Sequence, residues 1–173
     1  FDWNTDLARA YCPQQLWELE TGICLCAPTN TGDGMVMGME VGADLACLGG
    51  TIGVPGVSIG AGALAPGLPT VPGIWVNRHG QLFLNEEAHY AYAMRAIFDQ
   101  EEHLAWAIFD DTIAQLGGTV IGGIWGAWSE DLSEEIASGL VVRAHTIADL
   151  PSSIRVNGGE LQRSVSQWNA DCV

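Results

Sequence analysis

The sequence predicts an α+β fold on three observations. Apolar residues recur at helical spacing near both ends, short β-branched and aromatic runs bounded by turn residues occupy the middle, and a charge-free stretch rich in Gly and Pro lies between them. A length of 173 residues suits one domain or two small lobes sharing a core, and an apolar content of 48% is ample for a packed interior.

Taken in order, Leu7, Ala8 and Tyr11 give a first helix within Phe1 to Cys12, with Asn4 or Thr5 as its N-cap and Pro13 as its stop. Pro28 to Gly34 is a turn-forming stretch, and Met35 to Leu45 predicts a helix containing glycine. Leu48 to Gly73 suits neither a long helix nor an alternating strand and reads as a buried or ligand-facing connection. Within it, Gly60-Ala61-Gly62-Ala63-Leu64-Ala65 formally matches a dinucleotide-binding fingerprint. Pro66, Gly67 and Pro69 would break the helix that fingerprint requires, and no acidic ribose partner stands at the expected distance, so the match is rejected.

Farther on, Ile74 to Val76 and Leu82 to Leu84 predict a β-hairpin around Asn77-Arg78-His79-Gly80. A helix over Glu86 to Asp99 follows, with Ala91, Met94, Ile97 and Phe98 on one face. Ala105 to Phe109 predicts a strand, Asp110-Asp111 a short helix through Gln115, and Gly117 to Trp128 is ambiguous. Ser129 can cap a helix over Glu130 to Ala137, Leu140 to Ala144 suits a strand, and Thr146 can cap Ile147 to Leu150. Asn157 precedes a last helix carrying Leu161, Val165 and Trp168 on one face.

The formal charge is −15, with no lysine and six arginines, so the chain would repel a phosphate backbone, which excludes nucleic-acid binding. No apolar run reaches the roughly 18 residues that span a bilayer, and no signal-peptide pattern stands at the start, so a soluble, cytoplasmic protein without a membrane span is expected. Cys12, Cys24, Cys26, Cys47 and Cys172 form an odd set read as structural thiols, and no metal site is assigned, because Cys24-Leu25-Cys26 lacks a second pair at ligand spacing.

Two segments carry candidate chemistry. Thr31-Gly32-Asp33-Gly34 at a helix start offers backbone N–H groups unhindered by a Cβ, a hydroxyl and a carboxylate, equipment suited to a polar cofactor edge and equally to a capped turn. Gly80 to Tyr90 ends in a tyrosine that can move a proton or simply pack. A phenol ionises only near pH ~10, so such a base needs a nearby cation, a donor, or a substrate already activated by another acid. Tyr92 is the fallback. His89 adjoins Tyr90 and could tune it, but reads more simply as a partly exposed helix histidine, with His79 in a turn and His103 in an acidic surface stretch. Glu86 reads as a cap or backbone partner ahead of a catalytic carboxylate.

Phe1-Asp2-Trp3-Asn4, Asn30-Thr31-Gly32-Asp33-Gly34-Met35-Val36-Met37-Gly38 with Gly42-Ala43, and Ile74-Trp75-Val76-Asn77 with Gly80 and Phe83-Leu84-Asn85-Glu86 occur in an order and spacing that resembles the flavoprotein family of succinate dehydrogenases, fumarate reductases and 3-ketosteroid dehydrogenases. Ile108-Phe109-Asp110 and the late Leu161, Val165 and Trp168-Asn169 agree with it. The resemblance implies FAD as cofactor, with Thr31, Gly32 and Asp33 as flavin contacts, and a cap domain closing over the substrate. At the position of Tyr90 fumarate reductases carry an arginine and 3-ketosteroid dehydrogenases a tyrosine, so Tyr90 implies the latter branch. Gly53 to Pro69, which offers no His or Arg for a second carboxylate, agrees. Leu82 departs from the family, where an arginine usually precedes the phenylalanine.

The resemblance further implies a middle portion of a longer protein, because neither Gly-rich FAD-binding lobe of the family is found: residues 1–70 as a remnant of the FAD-binding domain and its connection, 71–173 as the cap or substrate domain. The whole enzyme would dehydrogenate a C–C bond beside a ketone in a small apolar substrate such as a steroid, with Tyr90 as proton acceptor, while this chain alone would be inactive and would not retain FAD. Two alternatives remain. One is a non-catalytic binding module that self-associates, as a homodimer, through its Gly-rich stretch. The other is a fumarate-reductase-like enzyme, for which Arg95 is the nearest arginine.

Overall fold

A computed structural model of the protein describes residues 1–21, 24, 26–49, 56–58, 64–66, 73–118 and 128–172. The chain divides into two compact units, Phe1–Ile52 with Gly60–Leu64, and Gly53–Ile59 with Ala65–Val173.

The first unit is helical. α1 (Thr5–Tyr11) starts at Asn4, whose side chain accepts the N–H groups of Asp6 and Leu7, and it buries Ala8. Pro13–Gln15 forms a 3-10 turn leading into α2 (Leu16–Thr21). Neither element is anticipated above, although a proline at a helix start is pre-organised for one. α3 (Asp33–Glu40) begins two residues earlier than the apolar pattern suggests and ends five sooner. Asp33 stands at its positive end, and Gly42, at φ +86°, closes it: the N–H groups of Gly42 and Ala43 return to the carbonyls of Met39 and Gly38.

β1 (Gly56–Ser58) and β2 (Leu64–Pro66) pair with each other, so the connection expected over Leu48 to Gly73 holds two short strands. Most of the formal dinucleotide fingerprint and most of Gly117 to Trp128 lie outside the described residues.

In the second unit, β3 (Ile74–Val76) pairs antiparallel with β4 (Trp106–Ile108), Trp75 opposite Ala107. This corrects the expected hairpin. The turn does form, because Asn77 is buried and its Oδ1 accepts the N–H groups of His79 and Gln81 while Gly80 takes φ +78°. Its return leg contributes only a bridge from Val76 to Leu82. The Leu82 N–H turns to Ser164 Oγ at 3.4 Å, and Ser164 Oγ donates to the Gly80 carbonyl at 2.8 Å, so the C-terminal helix holds this leg. Beyond it, Asn85 makes its own turn, accepting from Glu87 N–H at 3.0 Å. That turn delays the next helix: α4 is Tyr90–Phe98, with His89 as its cap, four residues short of the expected start.

A 3-10 turn (Glu101–His103) and α5 (Asp111–Ala114), capped by Asp110, complete the middle of the unit. α6 (Ser133–Ser138) starts later than expected. Ser129 still accepts the Glu134 N–H, but across a loop in which Leu132 is buried at φ +59°. Buried Glu135 accepts the Ser129 N–H and hydroxyl; burial alone would raise its pKa, and these hydrogen bonds bring it below the ordinary carboxylate value. Leu140 to Ala144 is not a strand, since Val141 N–H folds back onto the Glu135 carbonyl. Asp149 accepts Thr146 N–H and hydroxyl, so residues 147–149 are a turn and α7 is Leu150–Ile154.

α8 (Gly158–Asp171) follows Asn157, whose side chain accepts the Glu160 N–H. The main core joins Ile74 and Val76 of β3, Ile154, Val156 and Leu161, with Trp106, Ile108, Val165 and Trp168 packed around them. Gly80 is squeezed against the start of α8: a Cβ there would stand 2.7 Å from the Asn157 carbonyl oxygen. The segment leading to Tyr90 is thereby anchored to the core on which the unit depends.

Candidate functional site

The first candidate group lies in the helical unit. Thr31 hydroxyl donates to Asp33 Oδ1 at 2.7 Å, and the Thr31 carbonyl accepts Asn4 Nδ2 at 2.9 Å, so the residue that caps α1 also fixes the turn before α3. The Trp3 N–H to the Asn30 carbonyl, 3.1 Å, adds a second tie. The two glycines differ. Gly32 sits at φ +79°, and a Cβ would lie 2.6 Å from Leu7 Cδ1, so its absent side chain is filled by the protein itself. Gly34 has nothing within 4 Å of that position. Among the described residues the N–H groups of Asp33 and Gly34 donate to nothing, which leaves two donors at the positive end of α3 facing open space. Two free N–H groups and room at Gly34 for a planar ring would suit the polar edge of a flavin, to which the Thr31 hydroxyl, already donating to Asp33, offers only its acceptor lone pairs.

The second group lies in the other unit. Tyr90 is the first residue of α4 and 37% exposed. His89 Nδ1 accepts the Ala91 N–H at 3.3 Å, and the His89 and Tyr90 rings lie 4.2 Å apart at 34°. His89 is thus the cap of the helix, a role signalled beforehand only by its place before an apolar-faced segment. Glu86 does not cap α4: its Oε1 is buried without a hydrogen bond among the described residues. Tyr92 is 75% exposed. Arg95 Nε pairs with Asp99 at 3.2 Å, and its guanidinium stands 6.0 Å from the Phe98 ring centre. His79 faces Glu101 at 3.5 Å, and His103, stacked on Phe98, is partly buried and not a solvated surface group.

The Cys26 thiol is pushed up to about 11 by loss of water around it, then by Asp2 and Cys24. Among the described residues no three His, Cys, Asp or Glu side chains gather to hold an ion, and no helix is long and apolar enough to cross a membrane.

No family model matches the chain. Over 149 residues it is 30% identical to the NADH:acrylate oxidoreductase of Vibrio harveyi, spanning 85% of this chain and 14% of that protein. The crystal structure of 3-ketosteroid delta1-dehydrogenase from Sterolibacterium denitrificans, in complex with 1,4-androstadiene-3,17-dione, matches with a TM-score of 0.66 and 25% identity over 96% of this chain and 30% of that one. Both likenesses agree with the flavoprotein family whose blocks the chain resembles, and the chain spans less than a third of either relative.

Proposed function

We propose that this chain is the part of a flavin-dependent dehydrogenase that presents a proton acceptor, Tyr90, to a ketone substrate and meets the flavin edge with Thr31, Gly32 and Asp33. The observation that carries the reading is the placement of Tyr90: first residue of a capped helix, its ring half-exposed and backed by His89, on a segment pinned through Gly80 to the main core. The fold likeness to a 3-ketosteroid delta1-dehydrogenase supports an apolar cyclic ketone as the substrate class.

In this reading Tyr90, acting as its phenolate, takes the proton from the carbon beside the carbonyl, and the electron pair of that C–H bond becomes the new C=C bond as hydride leaves the neighbouring carbon. Bound flavin supplies the hydride acceptor. The N–H groups of Asp33 and Gly34 would donate to the cofactor edge and the Thr31 hydroxyl, which donates to Asp33, would accept from it, while Gly32 fixes the turn that presents them. In a flavoenzyme containing this chain, Tyr90→Phe is expected to lower kcat on a cyclic 3-ketone by about 100-fold or more with the flavin spectrum intact. Unchanged turnover removes Tyr90 from the mechanism.

A second reading, reduction of an unsaturated acid, is favoured by the sequence likeness to the NADH:acrylate oxidoreductase. The arginine such chemistry would draw on, Arg95, is tied to Asp99 and exposed. Loss of acrylate reduction on Arg95→Gln, with Tyr90→Phe silent, would select this reading over the first.

A further inference from the structure

The cap of α4 is an unusual one, since Asn, Asp, Ser and Thr are the preferred N-cap residues. His89 accepts the Ala91 N–H through Nδ1 at 3.3 Å, and a ring nitrogen can accept only while it keeps its lone pair. The bond therefore selects the neutral imidazole with its proton on Nε2. The same ring stands against Tyr90, centroids 4.2 Å apart. One imidazole thus fixes both where the helix begins and one wall of the tyrosine, whose hydroxyl has no hydrogen bond among the described residues.

We propose that His89 is the positioning residue of Tyr90, acting as the neutral Nε2–H tautomer and releasing the start of α4 when it is protonated. Its functional meaning rests on the reading of Tyr90 as proton acceptor. A protonated ring loses the acceptor and sets a cation at the positive end of the helix dipole. Nothing acidic stands in the first turn of α4 to offset it. Of the groups around it, Glu86 and Glu87 precede His89 in the turn, and Tyr90 and Tyr92 follow it on the helix. Arg95 is held by Asp99. The 3-10 turn packed against α4 meets the opposite end of the helix, where His103 stacks on Phe98 while Glu101 and Glu102 face His79 and Arg78.

Nitrogen-resolved NMR of the full chain over a pH series tests this. Long-range proton–nitrogen correlations of His89 report the tautomer, and Ala91 amide exchange, corrected for its intrinsic pH dependence, reports the cap. The expected results are Nε2–H at neutral pH and Ala91 exchange about fivefold faster once the imidazole is protonated, the size of a typical cap. His89→Asn, which keeps an acceptor that does not titrate, should hold Ala91 protected throughout. His89→Phe, which keeps an aromatic wall without an acceptor, should exchange fast at every pH. An Nδ1–H tautomer at neutral pH, or Ala91 exchange in the unaltered chain that ignores protonation of His89, overturns the proposal even where a variant fails to fold. Neither readout uses flavin or ketone, so the result stands apart from the fate of the proposed function.

Discussion

The Thr31-Gly32-Asp33-Gly34 turn shows how far a residue can be read from its neighbours in sequence. Both glycines read alike there, as positions where a missing Cβ frees a backbone N–H. In the structure they do opposite things. Gly32 is required by φ +79° and by Leu7, whereas Gly34 stands open in the first turn of α3. The distinction depends on a residue twenty-five positions away and could not be seen in the motif. Gly32→Ala is expected to cost at least about 1–3 kcal/mol, from strain and the clash together. Gly34→Ala should leave stability unchanged or raise it by up to ~1 kcal/mol, because alanine is the better helix former and nothing blocks it. Urea midpoints of the two variants check this, and equal losses would show that the turn is not built as described.

At the scale of elements, what was legible was local. Asn4, Asp110 and Asn157 announce their helices, and each accepts an N–H from the first turn. The Leu161, Val165, Trp168 stripe of α8 does face the core. What was not legible depends on distant partners. The strand pairing of β3 moves from the nearby Leu82 to Leu84 segment to β4, some thirty residues on, because Ser164 of α8 occupies the Leu82 N–H and Asn85 turns the chain away. The late start of α4 has a local origin instead, an Asn85 turn outcompeting helix propensity. Leu161 is fully buried at the centre of this arrangement, whereas Leu82 is 39% exposed. Leu161→Ala is therefore expected to destabilise by about 2–5 kcal/mol, and Leu82→Ala by well under half as much. Denaturant unfolding distinguishes them, and comparable losses would argue that the Leu82 segment belongs to the core after all.

For the molecule as a whole, part of the family pattern was visible in the sequence because Asn4, Gly32, Asn77, Gly80 and Asn85 sit at turns and caps whose residue types are constrained. The candidate flavin turn falls in the unit containing Phe1–Ile52, and Tyr90 in the unit containing Ala65–Val173. The first of these holds a single arginine, Arg9, which pairs with exposed Asp6 at 3.1 Å. FAD carries a pyrophosphate, which needs cations or a helix N-terminus within a Gly-rich loop. If the turn meets an isoalloxazine edge as proposed, its donors are the N–H groups of Asp33 and Gly34, and a chain of net charge −15 still repels the diphosphate. Titrating the purified chain with FAD should consequently give no saturable change in flavin fluorescence up to roughly millimolar concentration, an affinity no better than ~4 kcal/mol. Addition of salt should weaken the repulsion without creating a site. Stoichiometric, salt-insensitive retention of FAD would mean that the chain already supplies a diphosphate site that its charge does not reveal.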